Sequence, residues 1–445
     1  IYRSPGKNRN IQKSGICKNE TNYTWNVMWK EFFKPGKQSS IFTNHGHNSS
    51  LHCHSIIVDK KPGIDRKVLD ACSTAFYKYS MIITCAELFQ LKIPFKLGFS
   101  HSKADRFFSD SIILKLTGMQ DNKAFTGFGE AVVRDYVSGT AAESRQQLVN
   151  AFNNLLEPYR IANLDSESII KTLKETEPEV EMLPLLCAVE TALLDILCKS
   201  EKKDIYDLIK RAPKRQEIFY GGTLPLLPPK AAANLLAGYR KMGVKCLRVK
   251  INNDNEYNDS TLQLVRETMG QDYDIKVDAN AGWNLEEAKE ALLLLKRHEV
   301  EIIEEPFGRE TDSKGDRKLI SQLCSSEIAS GMVFMADESA LNSTDIRLAA
   351  EEKTFGMVNI RLAKNGGLLK ALEMAETAEQ LGIRYMSGCH VGETGILSAA
   401  GRAAASMMNN PEYVDGSYDA HLLSENITEK DLSFGPGGKA EIIRG

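Results

Sequence analysis

Several things are scarce in this 445-residue chain, and each shortage narrows what it is able to be. Surplus charge is one. With 56 Lys and Arg against 59 Asp and Glu the net charge is −3, so the basic excess that draws nucleic acid or an anionic membrane surface is missing. Long apolar runs are another: none approaches the roughly 20 residues that cross a bilayer, and the opening Ile1-Tyr-Arg-Ser-Pro-Gly-Lys7 has no signal-peptide core. A soluble, cytoplasmic protein with no nucleic-acid and no membrane partner is expected. The nine cysteines, an odd number scattered through helix- and strand-like stretches (Cys187, Cys198, Cys246, Cys324, Cys389), read as reduced core thiols and not as a disulfide framework. An initiating Met is absent, and a missing N-terminal segment is expected. A chain this long should hold more than one domain.

Residues 1–80 lack sustained periodicity and are rich in Lys, Asn, Ser and Gly, so they are expected to form an extension of unknown function. The pairs His45-Gly-His47 and His52-Cys-His54 offer metal-type nitrogens, but unsupported short pairs of this kind read first as solvated loop residues. Asn19, Asn22 and Asn48 open glycosylation-type triplets, read as chance matches without a secretory signal. From Met81 the pattern changes to strands (Ile82 to Phe89, Ser111 to Thr117, Thr126 to Val133) and then helices (Glu143 to Leu156, Ser166 to Glu175, Leu183 to Cys198). This predicts an α+β domain over 81–212, joined by the tail 424–445.

After Pro213 strand and helix alternate, and the strands end on charge. Lys276-Val-Asp-Ala-Asn-Ala-Gly-Trp283 stops on Asp278, Val300-Glu-Ile-Ile-Glu-Glu-Pro306 on Glu304, and Val333-Phe-Met-Ala-Asp-Glu-Ser339 on Asp337. The intervals are 26 residues (278 to 304), 33 (304 to 337) and 27 more to Lys364. Each is one strand, one loop and one helix, which predicts a (βα)8 barrel over 213–423 with strand ends gathered on one face. Three carboxylates there repel unless protons or a cation neutralise them. Hard oxygen ligands without Cys or His favour Mg²⁺, with Mn²⁺ as a substitute.

Arg248 and Lys250 are two apart on the second strand and share a face. Lys364 is read at the end of the sixth strand, across the barrel. A desolvated lysine near other cations is able to act as a general base, and a metal beside a substrate carboxylate stabilises the charge left when an α-proton departs. One amine on each side permits racemisation or epimerisation, and also serves one-base cycloisomerisation or elimination. Taken singly, a strand-end acid is most simply a helix N-cap and a strand-end lysine a surface charge. Taken together, acids on three successive strands flanked by lysines are not explained by solvation.

The run Arg248-Val-Lys250, Asp278-Ala-Asn280, Glu304-Glu-Pro306, Ala336-Asp-Glu-Ser339 and Lys364-Asn-Gly-Gly367 resembles the enolase superfamily, specifically its muconate lactonizing enzyme subgroup within the mandelate racemase/muconate lactonizing enzyme family, over about Met81 to Gly445. The resemblance implies an α/β fold with a (βα)8-type, modified TIM barrel and an α+β capping domain. It further implies Asp278, Glu304 and Asp337 as Mg²⁺ ligands, Lys250 and Lys364 as the acid/base pair, and an enediolate formed from a small carboxylate substrate. Racemase, epimerase or cycloisomerase activity is expected, with an o-succinylbenzoate synthase-like syn-dehydratase next and a non-catalytic scaffold as the rival from another class. A homo-oligomer is expected. Arg248 stands where the subgroup usually has lysine, and with Asn280, Arg134, Tyr136, His390, Glu393 and Asp415 it is a candidate for touching substrate. Dipeptide epimerases that resemble this chain hold a substrate ammonium with Asp-X-Asp on the eighth strand, whereas here Asp415-Gly-Ser417 keeps half of that motif.

Overall fold

The computed structural model describes residues 55–60, 81–139, 145–161, 165–308 and 313–444. The His45/His47 and His52/His54 pairs and the triplets at Asn19, Asn22 and Asn48 lie outside the described residues.

Antiparallel strands β1 (Ser55–Lys60), β2 (Ile82–Gln90), β5 (Ile112–Gln120) and β6 (Lys123–Ala131) form a four-stranded sheet in the order β1-β2-β5-β6. Alternation along β2 and β5 buries Ala86, Leu88, Leu114 and Leu116 against the helix Leu183–Glu201. That helix is apolar nearly all round because it lies between this sheet and the barrel. Two glycines in β6 let it approach: a Cβ on Gly127 would stand 2.1 Å from the Ala192 carbonyl oxygen, and one on Gly129 1.8 Å from that of Ala188. One expected boundary is corrected here. Strand β1 precedes residue 81 yet pairs with β2, so the sheet begins inside the stretch read as an extension. A hairpin follows β2, β3 (Ile93–His101) with β4 (Ala104–Ser109).

Eight parallel strands follow in sequence order, β8 (Gly222–Leu224), β9 (Cys246–Lys250), β10 (Asp274–Asp278), β11 (Ile302–Glu304), β12 (Val333–Ala336), β13 (Met357–Arg361), β14 (Arg384–Gly388) and β15 (Tyr413–Val414). The Gly221 N–H donates to the Val414 carbonyl at 2.8 Å, which joins the eighth stave to the first. The result is a TIM-type α/β barrel. Several intervening helices have their own start signal. Asn284 and Asn342, for instance, form capping boxes with Glu287 and Asp345. Inside, a lower layer of Ile302, Met335, Met357, Met386 and Tyr413 is apolar, with the buried Lys276 amine 4.3 Å from the Tyr413 ring centre, and the acids stand at the C-terminal ends above it. The tail strand β16 (Lys439–Glu441) pairs with β7 (Glu217–Phe219), just before the first stave, and not with the N-terminal sheet as its reading with 81–212 implied.

Two buried glutamates clasp the N-terminal region to the barrel. Glu190 accepts from the backbone N–H groups of Leu368 and Leu369, the start of helix Leu368–Leu381. Glu130 accepts from the N–H of Thr394 at 2.9 Å, from its hydroxyl at 2.7 Å, and from the N–H of Leu397 at 3.3 Å, the start of helix Gly395–Met407. Each carboxylate meets the unpaired donors and positive dipole end of a helix.

Candidate active site

The barrel mouth is built by strand register. Lys250, Asp278 and Glu304 are directly paired across β9, β10 and β11, so their side chains stand side by side at one level. Asp337 follows β12 by one residue. The backbone here is bent to purpose: Asn280 and Glu305 hold left-handed φ values of 47° and 40°, conformations a non-glycine residue keeps only when its surroundings fix it. Asn280 is held by its N–H on Asp278 Oδ1 at 2.8 Å. Glu305 is held by accepting the N–H of Asp337 at 2.6 Å and of Ser339 at 3.2 Å.

Asp278, Glu304 and Asp337 are fully buried, and each faces a protein cation. Lys250 Nζ donates to Asp278 Oδ2 at 2.5 Å and to Asn280 Oδ1 at 2.7 Å. Arg248 Nη1 stands 3.3 Å from both Glu304 oxygens. Arg361 reaches Glu304 Oε1 at 3.0 Å and also pairs with Asp337 Oδ2. Asn359 Nδ2 donates to Glu304 Oε1 at 2.7 Å. A fourth acid, Glu338, lies beside Asn280, and its Oε2 has no hydrogen-bond partner. Burial, and then the neighbouring Glu304, push the Asp278 carboxyl up to about 6. Burial acts the same way on Glu304, but Arg248, Arg361 and Lys250 outweigh it and hold that carboxyl below its usual range. Glu338 is driven well upward by burial and then by Asp337, Glu305 and Asp278.

The donor set fits a hard divalent cation. Four buried carboxylates share one mouth with no Cys or His among them, and neither oxygen of Asp337 has a geometrically sound hydrogen bond. Among the described residues no three of them converge on one point at ligand distance, because the ammonium of Lys250 and the guanidinium of Arg361 stand between them. An ion would take over part of the neutralisation these cations provide.

Several sequence expectations change. Lys364 does not end the sixth stave, whose last residue is Arg361; it sits in the following turn of helix, Leu362–Asn365. Its amine is fully buried and donates to the carbonyls of Asp337 at 2.5 Å and Asn359 at 2.7 Å, with Asp337 Oδ1 at 3.1 Å. The Lys364-Asn-Gly-Gly367 motif is a clasp: Asn365 ties Arg361, Ala340 and Leu341 together, and a Cβ on Gly367, at φ 122°, would strike Glu190. Arg134, 1 % exposed, pairs with Asp110 at 2.9 Å and donates to the Val391 carbonyl at 2.6 Å, which makes it a buried tie. Asp415 is likewise committed, 3.2 Å from Arg248 Nε and 3.4 Å from Lys276, so it is not free to hold a substrate ammonium. Glu393 accepts the His390 N–H at 2.6 Å and closes its own loop, while Thr394 caps the next helix. Tyr136 stacks edge-on to His101, with ring centres 5.2 Å apart. His101 is a residue the sequence did not single out; burial, then Lys250, drive its ring down to about 2, so it is neutral. It lies at the end of the β3 strand, where Ser102 docks on the Ala279 carbonyl at 2.9 Å. Beside this tip a cavity of about 320 Å³, mostly apolar, runs from Leu97 and Phe99 past Thr223 and Arg248 to His390 and Tyr418.

Residues 230–438 match a family model described as Enolase C-terminal domain-like. The chain is 24% identical over 322 residues to the hydrophobic dipeptide epimerase of Enterococcus faecalis, covering 72% of this chain and 85% of that one. It is 26% identical over 324 residues to the N-succinyl-L-Arg/Lys racemase of Bacillus cereus, covering 72% and 83%. The crystal structure of N-succinyl Arg/Lys racemase from Bacillus cereus superposes with a TM-score of 0.68 at 23% identity, over 82% of this chain and 93% of that one. Dipeptide epimerase from Cytophaga hutchinsonii, complexed with Mg and the dipeptide D-Ala-L-Val, superposes with a TM-score of 0.70 at 21% identity, over 82% and 94%. Fold, mouth and relatives define the class, an enzyme of the isomerase type. By that model and these relatives, the barrel part of the chain is similar to the enolase superfamily.

Proposed function

We propose that this chain is a Mg²⁺-dependent isomerase that takes the α-proton from a small carboxylate substrate. The relatives, racemases of N-succinyl amino acids and epimerases of dipeptides, favour racemisation or epimerisation of an amino-acid derivative. The single observation that carries the reading is Lys250: an amine at the C-terminal end of the second stave, in register with and 2.5 Å from a buried acid, at the face where such barrels do their chemistry. In its neutral form Lys250 Nζ receives the α-hydrogen. Asp278, Glu304 and Asp337, with Glu338 beside them, would hold Mg²⁺, which supplies charge stabilisation for the enediolate when bound. Arg248 and Arg361 keep Glu304 ionised and add fixed positive charge around the substrate oxygens. The hairpin tip at His101 and Ser102, docked on the loop after the third stave, excludes water from the same space.

A one-base outcome, cycloisomerisation or syn-dehydration, is favoured by a different observation, the arginine at the end of the sixth stave. Persistence of the fold as a scaffold is disfavoured by the desolvation cost of so many buried charges. Exchange of the α-proton with D₂O, followed by NMR over N-succinyl amino acids, dipeptides and muconate analogues, tests the proposal. Mg²⁺-dependent exchange from at least one class is expected. Absence of exchange from all of them, with no Mg²⁺ uptake by calorimetry, would return the chain to the scaffold reading.

A further inference from the structure

We infer that Arg361 shuts one face of the substrate to proton transfer, so that Lys250 removes and returns the proton from a single side; this rests on the α-proton abstraction proposed above and takes its one-base outcome in place of racemisation or epimerisation. The second and sixth staves are four places apart in a ring of eight, so their ends face each other across the mouth. On one of them stands an amine, Lys250. On the other stands a guanidinium, held by Glu304 at 3.0 Å and by Asp337. A guanidinium keeps its proton at any working pH, so it is able to grip an anionic oxygen but not to accept a hydrogen.

The groups near it do not stand in. Lys364 is buried with its amine donating to two carbonyls and ion-paired with Asp337 Oδ1 at 3.1 Å. His101 accepts the Lys103 N–H on Nδ1 at 3.2 Å, so in the neutral ring the hydrogen is on Nε2 and no lone pair is left there. The step balances without a co-reactant. The α-carbon's C–H bond breaks, its proton passes to Lys250 Nζ, and the electron pair enters the carboxylate-conjugated system. The same ammonium then returns the proton to that face, or gives it to a β-leaving group departing on the same side.

The test sets the Mg²⁺-loaded protein in D₂O against each α-configuration separately, the antipodes N-succinyl-L-arginine and N-succinyl-D-arginine, then the epimers L-Ala-L-Leu and L-Ala-D-Leu. The expected result is α-deuteration of one antipode about 100-fold or more faster than the other, without change of configuration. Exchange from both within tenfold overturns the inference and leaves the proposed function standing. Exchange from neither overturns the proposed function, and the inference with it. R361K restores an amine and is expected to raise exchange at the slow antipode at least tenfold. A folded R361K that keeps the original antipode ratio overturns the assignment to Arg361. If R361K does not fold, the antipode ratio of the unaltered protein decides alone.

Discussion

The molecule buries carboxylates in two ways. Where the N-terminal sheet and helix meet the barrel, Glu130 and Glu190 are satisfied by backbone N–H groups at helix starts, donors that do not move and carry no net charge. At the mouth, Asp278, Glu304 and Asp337 are satisfied by Lys250, Arg248 and Arg361, side chains that are able to exchange partners. The first arrangement fixes geometry. The second keeps a set of charges ready to be re-paired, with a substrate oxygen or a metal ion replacing a guanidinium or an ammonium. Backbone clasps hold the two parts of the fold together; side-chain pairs leave the mouth able to react.

The sharpest break of that contrast is Lys250→Ala, for which α-proton exchange should fall about 1,000-fold, the scale of losing a general base. Retained exchange would move the chemistry away from the mouth. Next comes the interface itself. Gly129→Val puts atoms where the Ala188 carbonyl already sits, and chemical denaturation should show a loss of roughly 3 kcal/mol or more. A native-like midpoint would mean that the helix and sheet part without cost.

Glu190 sharpens the comparison through pH. Burial, against the opposing backbone donors, raises its carboxyl from about 4.5 to about 8. The folded pKa is the higher one, so the stability it contributes is whole below pH about 4.5 and is lost as pH climbs to about 8. Glu190→Gln should therefore flatten the decline of Tm across that window, by the equivalent of up to roughly 4 to 5 kcal/mol at its top, while leaving antipode selectivity as it was. A parallel decline in both proteins would remove Glu190 as its source. The smallest effect belongs to the surface. Lys210 and Glu167, 76% and 75% exposed, pair in solvent, and Glu167→Gln should change stability by less than about 0.5 kcal/mol.

Much of this was legible in the chain. Helix Ser166–Glu175 lies where periodicity put it, and the strand read from Ile82 to Phe89 runs Ile82–Gln90. The acids stand at stave ends because a strand ending on a carboxylate before a turn is a local pattern. The error at the sixth stave was one of phase. Asn359 and Arg361 are two apart and share the inward face, as Arg248 and Lys250 do, whereas Lys364 is of the opposite parity and falls beyond the strand. Alternation counted from Asn359 would have found Arg361. Nothing local marked the partners of Asp415, Arg248 and Lys276, which are 167 and 139 residues away along the numbering.

By itself, then, the order of residues determined the barrel and the acids at its rim, since period and capping are short-range properties that each segment carries alone. Only the tertiary structure decided which cation meets which acid: that Arg361 and not Lys364 looks across at Lys250, and that Asp415 is already spoken for. Those pairings depend on stave register and on burial from all sides, and an isolated segment has neither.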